Sequence, residues 1–197
     1  MPITRRSNDP SHFAKDMDKI VSHINSKETL DDFDRAILES FQLKSSLKEG
    51  RTEETNIKSL PHCIVHGDYQ ATNFMFDEND NLVWILDWEQ SMWRPRISEV
   101  VRATILMCFD SNFNEGGFEK ASQFISSYHE KQPFSKEELG AGFNHFFEIL
   151  LQSTWIPMLH YSGNERVAQF LPKETNNILY LNNHLDETVE KLYSSIK

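Results

Sequence analysis

The stretch that most constrains the fold of this chain covers residues 62–89 and reads HCIVHGDYQATNFMFDENDNLVWILDWE. A short apolar run opens it, and two runs of β-favouring residues, 74–76 and 82–86, lie on either side of the turn-forming residues 77–81. Short apolar runs bounded by Asn, Asp and Gly are typical of strands and hairpins. The stretch therefore predicts one short strand and a β-hairpin, with polar residues at the strand ends.

This prediction brings three polar residues together. Asn73 stands just before the first hairpin strand and Asp87 just after the second, so folding the hairpin places them next to each other. Their oxygen atoms are donors that suit a hard cation such as Mg²⁺. Asp68 lies on the loop before the hairpin, where its carboxylate can accept a proton from a hydroxyl. A base, two metal ligands and no covalent nucleophile are the minimal equipment for phosphoryl transfer.

The segments HGDYQATN and ILDWE also resemble a known signature. It is the pattern H-G-D-x-x-x-x-N followed by D-[FW]-[DE] of the aminoglycoside phosphotransferase and choline kinase family, a small-molecule branch of the protein-kinase-like fold. The resemblance implies an ATP-dependent phosphotransferase that moves the γ-phosphate of ATP to a hydroxyl group of a small-molecule substrate. It also implies that Asp68 is the catalytic base and that Asn73 and Asp87 hold Mg²⁺.

Four neighbouring residues receive supporting roles from the same resemblance. His66 would buttress the loop that carries the base, and Glu89 would either anchor its neighbours or bind a second metal. Met75 and Leu86 would form the floor under the adenine of ATP, although packing in the hydrophobic core accounts for both equally well.

Other assignments for the polar residues of this region are weaker. His62, His66 and Asp68 lack a nearby fourth ligand for zinc, and residues 77–88 imitate a calcium loop but have Leu82 where glycine is required. Arg94 and Arg96 are candidates for phosphate contacts, but an ion pair with Glu99 is the favoured interpretation. The resemblance places the acceptor pocket near His160, Asn164 and Arg166.

Outside this stretch the hydrophobic periodicity is helical. The predicted helices cover about 10–25, 29–50, 97–109 and 118–129, an apolar segment that starts after Ser135 and is kinked or ended by Pro157, a short turn-and-helix segment before residue 173, and 174–196. Thr29 with Asp32 is predicted to start the second helix, and Ser135 with Glu138 forms a capping box. We therefore expect an α+β, mainly α-helical fold, with residues 1–197 as a single domain and residues 1–8 disordered.

A kinase-like enzyme also needs a second lobe, whose glycine-rich loop and lysine contact the phosphates of ATP. None of the seven glycines lies in a strand–turn–strand pattern before residue 62. We therefore expect a kinase-like C-terminal lobe with the N-terminal nucleotide lobe absent. Two alternatives stay open: the chain is a truncated, non-catalytic remnant or binding module of this fold, or a separate chain supplies the missing lobe.

Composition narrows the remaining functions. The formal net charge of −10 argues against a nucleic-acid-binding surface, which would need a basic patch. Both cysteines, Cys63 and Cys108, lie in apolar runs, and the sequence shows neither a secretory signal nor an apolar stretch long enough to span a bilayer. These features favour a cytoplasmic protein without a membrane partner. The identity of the acceptor substrate is left open.

Overall fold

The structure is a computed structural model that describes residues 10–51, 57–109 and 113–196. The expected disorder of residues 1–8 lies outside the described residues. The helices are α1 Pro10–Asn25, α2 Asp32–Glu49, α3 Arg96–Cys108, α4 Glu115–Lys131, α5 Lys136–Leu151, α6 Trp155–Tyr161 and α7 Leu171–Ser194. The prediction of a mainly helical α+β fold is confirmed. Within the described residues, no helix combines the length and the apolar character needed to cross a bilayer.

The strands form two small antiparallel pairs. They are β1 His62–Val65, β2 Phe74–Phe76, β3 Leu82–Ile85 and β4 Met92–Pro95. Strand β2 pairs with β3 as the predicted hairpin, and β1 pairs with β4, with Ile64 opposite Trp93. Strand β4 was not predicted from the sequence. Strand β4 pairs with β1, which precedes the hairpin in sequence, and β4 ends in Pro95, a residue found in edge strands. The residues of β4 alone therefore do not indicate a strand.

By its internal contacts the chain divides into two compact units. The first unit comprises Met1–Glu54 and Phe147–Asn182, and the second comprises Thr55–Phe146 and Asn183–Lys197. The expectation of a single domain stays a prediction. All strands lie in the second unit, together with α3 and α4.

The first unit has a core of aliphatic and aromatic side chains contributed by α1, α2, α6, the 3-10 turn Glu165–Phe170 and the start of α7. Its buried members are Ile20, Ile24, Ile37, Phe41, Ile156, Val167 and Leu171. Helix α2 starts with a capping box in which the side chains of Asp31 and Asp34 each accept a backbone N–H of the other residue. The predicted start at Thr29 with Asp32 is therefore wrong, because the acidic residues at 31 and 34 satisfy the helix N-terminus instead.

The second unit is centred on α3, which is buried along most of its length. Its neighbour α5 approaches closely at Gly142, where an added Cβ would lie 2.9 Å from side-chain atoms of both Ile97 and Val101. A larger residue at this position would push α3 away from α5. Close packing therefore holds α3 in place. The loop after β1 is hydrogen-bonded to α3 through Glu99.

Other helix boundaries also differ from prediction. Helix α4 begins at Glu115 rather than Phe118, because the side chain of Asn114 accepts the N–H of Gly117 and caps the helix. The apolar segment after Ser135, predicted to be one helix as far as Pro157, is interrupted between α5 and α6. Pro157 lies in the first turn of α6, where its missing N–H has no helical partner to lose. The predicted cap of Ser135 on the N–H of Glu138 is confirmed at 3.1 Å.

Candidate functional site

The hairpin places the two predicted metal ligands at its open end. The backbone N–H of Leu86 donates to the carbonyl of Asn73 at 2.8 Å, which extends the pairing of β2 with β3 by one step. Asp87 follows Leu86 immediately. A short 3-10 turn, Ala71–Asn73, leads into the hairpin, and another, Trp88–Gln90, leads out of it. The backbones of Asn73 and Asp87 therefore lie at the same end of the hairpin.

His66 joins the loop after β1 to this hairpin. Its Nε2 lies 2.7 Å from the carbonyl of Leu86, and its Nδ1 accepts the backbone N–H of Asp68 at 3.2 Å. Because Nδ1 is the acceptor, Nε2 is the ring nitrogen that donates to the carbonyl of Leu86. The ring is buried and contacts the indole of Trp88 at a centroid distance of 4.7 Å. The imidazole therefore sets the position of the Asp68 backbone relative to Leu86.

Gly67 allows the loop to approach the turn after the hairpin. Its φ is +83°, and an added Cβ would lie 2.2 Å from the carbonyl oxygen of Gln90, so only glycine fits. Glu99 on α3 accepts the backbone N–H groups of both His66 and Gly67, each at 2.6 Å. A carboxylate that accepts two consecutive amides fixes the loop in its turn. The sequence analysis had paired Glu99 with arginine instead.

Arg96 has a different partner. Its guanidinium donates to both carboxylate oxygens of Glu138, at 2.9 and 3.0 Å, and to the carbonyl of Pro133 at 2.6 Å. The predicted pair between Arg96 and Glu99 is therefore wrong. Arg96 is the first residue of α3, and its side chain extends to the first turn of α5 instead.

Asp68, the predicted base, is held by three side chains. Its Oδ1 accepts Nη2 of Arg102 at 2.8 Å, and its Oδ2 accepts Nε2 of Gln70 at 2.9 Å and Nδ2 of Asn73 at 3.1 Å. The sequence analysis missed Gln70 and Arg102. A usable signal existed, because Arg102 follows Glu99 by three residues and two charged residues at this spacing share one face of an otherwise apolar helix.

The amide group of Asn73 is oriented by Asp68. Its Nδ2 donates to the backbone carbonyl of Asp68 at 2.8 Å as well as to the carboxylate. Both acceptors lie on the nitrogen side, so the amide oxygen Oδ1 faces the other way. That orientation leaves an oxygen donor available, as a hard cation requires.

Asp87 has an unusual backbone conformation for a residue with a side chain. Its φ and ψ are 62° and 57°, the left-handed region, which costs a non-glycine residue about 1 kcal/mol or more. The carboxylate is exposed to solvent. Backbone strain of this kind clusters at functional sites. Among the described residues, no group of three His, Cys, Asp or Glu is placed to hold a metal ion. A metal ion bound by Asp87 would therefore also need the amide oxygen of Asn73 and non-protein ligands.

The residues predicted to contact the nucleotide lie on the surface of the hairpin. Met75 and Leu86 are both exposed, so the alternative that they pack in the core is wrong. Several large apolar side chains of the same unit are exposed with them: Ile64, Phe76, Leu82, Val83, Trp84, Trp88 and Trp93. Glu89 lies in the exposed turn after Asp87. The nucleotide-binding and supporting roles of these residues remain predictions.

Burial affects two other side chains close to the loop in sequence. Burial, followed by the negative charge of Glu99, raises the pKa of the Cys63 thiol and of the Tyr69 phenol. Both groups therefore stay protonated at neutral pH and neither is an activated nucleophile. The residues predicted near the acceptor, His160, Asn164 and Arg166, belong to the first unit, where His160 stacks on Phe33 at a centroid distance of 3.7 Å.

The sequence model described as the phosphotransferase enzyme family matches residues 5–134. This match covers more than half of the chain and includes Asp68, Asn73 and Asp87. The chain belongs to the phosphotransferase enzyme family. Neither a curated protein nor a solved structure gives a significant match.

Proposed function

We propose that this chain carries the catalytic base and the metal ligands of an ATP-dependent small-molecule kinase. Asp68 would accept the proton of the substrate hydroxyl, and Asn73 and Asp87 would hold Mg²⁺. The observation that carries the proposal is the pair of hydrogen bonds from Asn73 to Asp68, which joins the base to the entry of the hairpin. Membership of the phosphotransferase enzyme family supports the same reaction class.

The residues present fit a magnesium ion. The amide oxygen of Asn73 is turned away from Asp68, and Asp87 offers an exposed carboxylate. Mg²⁺ commonly uses one or two carboxylates together with phosphate oxygens and water, so two protein ligands are enough. When bound, the ion would neutralise charge on the phosphates of ATP.

The protein's own contribution is positioning and proton transfer. Asp68 takes the proton as the O–H bond of the acceptor breaks, and the acceptor oxygen forms a bond to the γ-phosphorus. The bond between that phosphorus and the bridging oxygen breaks, and ADP leaves with the electron pair. His66, Gly67 and Glu99 keep the loop of Asp68 in place through the contacts described above.

We also propose that the chain corresponds to the helical C-terminal lobe of a kinase-like fold. The mainly helical structure and the sequence, which lacks a glycine-rich loop before β1, support this assignment. The exposed apolar surface of the hairpin, including Met75 and Leu86, is consistent with a nucleotide base resting on it. A second lobe, on the same or a separate chain, would complete the ATP site.

The test is acceptor-dependent release of ADP from ATP, measured over a panel of small molecules with hydroxyl groups, on a protein in which a nucleotide-binding lobe complements this chain. The replacement Asp68→Asn should lower turnover by roughly 10²–10⁴-fold, as expected for loss of a general base. Glu78→Gln, an exposed substitution in the turn of the same hairpin, should leave turnover unchanged. Wild-type turnover in Asp68→Asn would contradict the assignment of the base, and absence of turnover in the wild type with every acceptor would favour the non-catalytic alternative.

A further inference from the structure

The carboxylate of Asp68 accepts an unequal number of hydrogen bonds on its two oxygens. Oδ2 accepts two, from the side-chain amides of Gln70 and Asn73, whereas Oδ1 accepts one, from Arg102. A carboxylate oxygen has about two acceptor positions. Oδ2 is therefore saturated, and Oδ1 keeps one open position.

The charge and position of Arg102 reinforce this inequality. The ion pair joins Nη2 to Oδ1 at 2.8 Å, and the side chains of Arg102 and Asp68 are 31% and 19% exposed. The second nitrogen, Nη1, is buried and has no hydrogen-bond partner within the described parts of the chain. Within the described parts of the chain, the hydrogen bond from Arg102 to Asp68 therefore comes from Nη2 and goes to Oδ1.

We propose that Gln70 and Arg102 are positioning residues that determine which oxygen of Asp68 receives the proton. Gln70 and Asn73 occupy both acceptor positions of Oδ2 with their hydrogen bonds. Arg102 fixes the rotation of the carboxylate and leaves one acceptor position open on Oδ1. The inference rests on the proposed phosphotransferase function. It adds positioning roles for Gln70 and Arg102 and names Oδ1 of Asp68 as the atom that receives the proton. The acceptor O–H bond breaks, the proton bonds to Oδ1, and the acceptor oxygen bonds to the γ-phosphorus of ATP as ADP departs.

The structural part can be tested without turnover. In the full chain labelled with ¹⁵N and ¹³C, NMR should detect hydrogen-bond coupling between Nη2 of Arg102 and the carboxylate carbon of Asp68, with restricted rotation of the guanidinium. Asp68→Asn should remove the coupling and the restriction, because a neutral amide forms a weaker hydrogen bond than a carboxylate. Absence of the coupling in the folded wild type would overturn the inference whatever the activity.

The kinetic part uses Arg102→Lys and Gln70→Met. Lysine keeps the charge but not the planar fork, and methionine keeps the approximate volume but not the donor. Each variant should lower kcat about tenfold or more while the KM for ATP stays constant, since the lost interaction orients the base and does not contact the nucleotide. The matched control is Arg35→Lys, which changes an exposed arginine paired with Asp32 in the first unit and should leave kcat unchanged.

The outcomes separate the inference from the proposed function. If coupling is present and the wild type transfers no phosphate, the orientation of Asp68 stands and the proposed function fails. If the wild type is active and both variants keep its kcat, the inference is overturned and the proposed function stands. A fall in kcat for Arg102→Lys and Gln70→Met, with Arg35→Lys unchanged, supports both.

Discussion

Each unit contains an ion pair between a basic and an acidic side chain, and the two pairs differ in their exposure to solvent. In the first unit Lys44 donates to Glu174 at 2.5 Å and to the carbonyl of Ser153 at 2.8 Å, and the charged side chains are 2% and 7% exposed. In the second unit Arg102 donates to Asp68 at 2.8 Å, with 31% and 19% exposure. The first pair is closed to solvent, whereas the second lies where a ligand can reach it.

The difference in burial predicts a difference in role. A buried ion pair becomes very costly when one partner is removed, because the other is left as an uncompensated charge. A partly exposed pair contributes little to the free energy of unfolding, since water replaces the lost partner. The Lys44–Glu174 pair is therefore a structural element, and the Arg102–Asp68 pair is available for chemistry. The following predictions test this contrast.

The largest effect on stability is expected from Lys44→Met. The substitution leaves Glu174 buried without its cation and should lower the free energy of unfolding by roughly 3–5 kcal/mol. Urea denaturation followed by circular dichroism measures the change. The double variant Lys44→Met with Glu174→Leu should recover most of the loss because no unpaired charge remains, and equal losses in the single and double variants would show that the pair is not the cause.

A smaller effect is expected from Asp34 in the same unit. Burial opposes the charge of Asp34, but hydrogen bonds from Lys27, Tyr161 and the backbone of Asp31 outweigh it and lower its pKa to about 2. An unfolded aspartate has a pKa of about 3.9. The folded pKa is the lower one, so this stabilisation is present above about pH 4 and is lost as the pH falls towards 2.

Asp34→Asn should therefore remove roughly 1–2 kcal/mol at pH 7, with solvent screening allowed for, and should flatten the loss of stability between pH 4 and 2. Denaturation midpoints measured across this range provide the comparison. Asp32→Asn, which affects an exposed carboxylate paired with Arg35, is the control and should change neither quantity by more than a few tenths of a kcal/mol. An unchanged acid profile in Asp34→Asn would show that another group causes the acid sensitivity.

The smallest effect on stability is expected at the site itself. Arg102→Met should lower the free energy of unfolding by less than about 1 kcal/mol, because the pair with Asp68 is partly exposed. The same denaturation assay used for Lys44→Met measures it. A loss as large as that of Lys44→Met would remove the contrast between the two pairs and would identify Arg102 as mainly structural.

The sequence predicted the local structure around the candidate site well. Residues 62–89 contain the hairpin together with the proposed base and both proposed metal ligands, so the contacts among them connect positions close in sequence. The left-handed backbone of Asp87 gave no sequence signal, because aspartate adopts that conformation only occasionally and glycine is the usual residue there.

The contacts with distant residues were not predictable in the same way. Strand β4 forms only by pairing with β1, and Glu99 and Arg102 reach the loop only because α3 is packed beside it. A helical pattern shows which residues of α3 share a face, but it does not show which loop that face meets. Arg96 illustrates the limit, since charge alone suggested Glu99 and the fold supplied Glu138.

The most direct test of the central claim is the location of a divalent cation in the presence of ATP. With Mn²⁺ as a paramagnetic substitute for Mg²⁺, NMR signals of residues next to Asn73 and Asp87 should broaden first. Asp87→Asn should weaken Mn²⁺ binding roughly tenfold or more, whereas Asp80→Asn at the exposed tip of the same hairpin should not. Broadening spread over other acidic surfaces, unchanged in Asp87→Asn, would contradict a metal site at the open end of this hairpin.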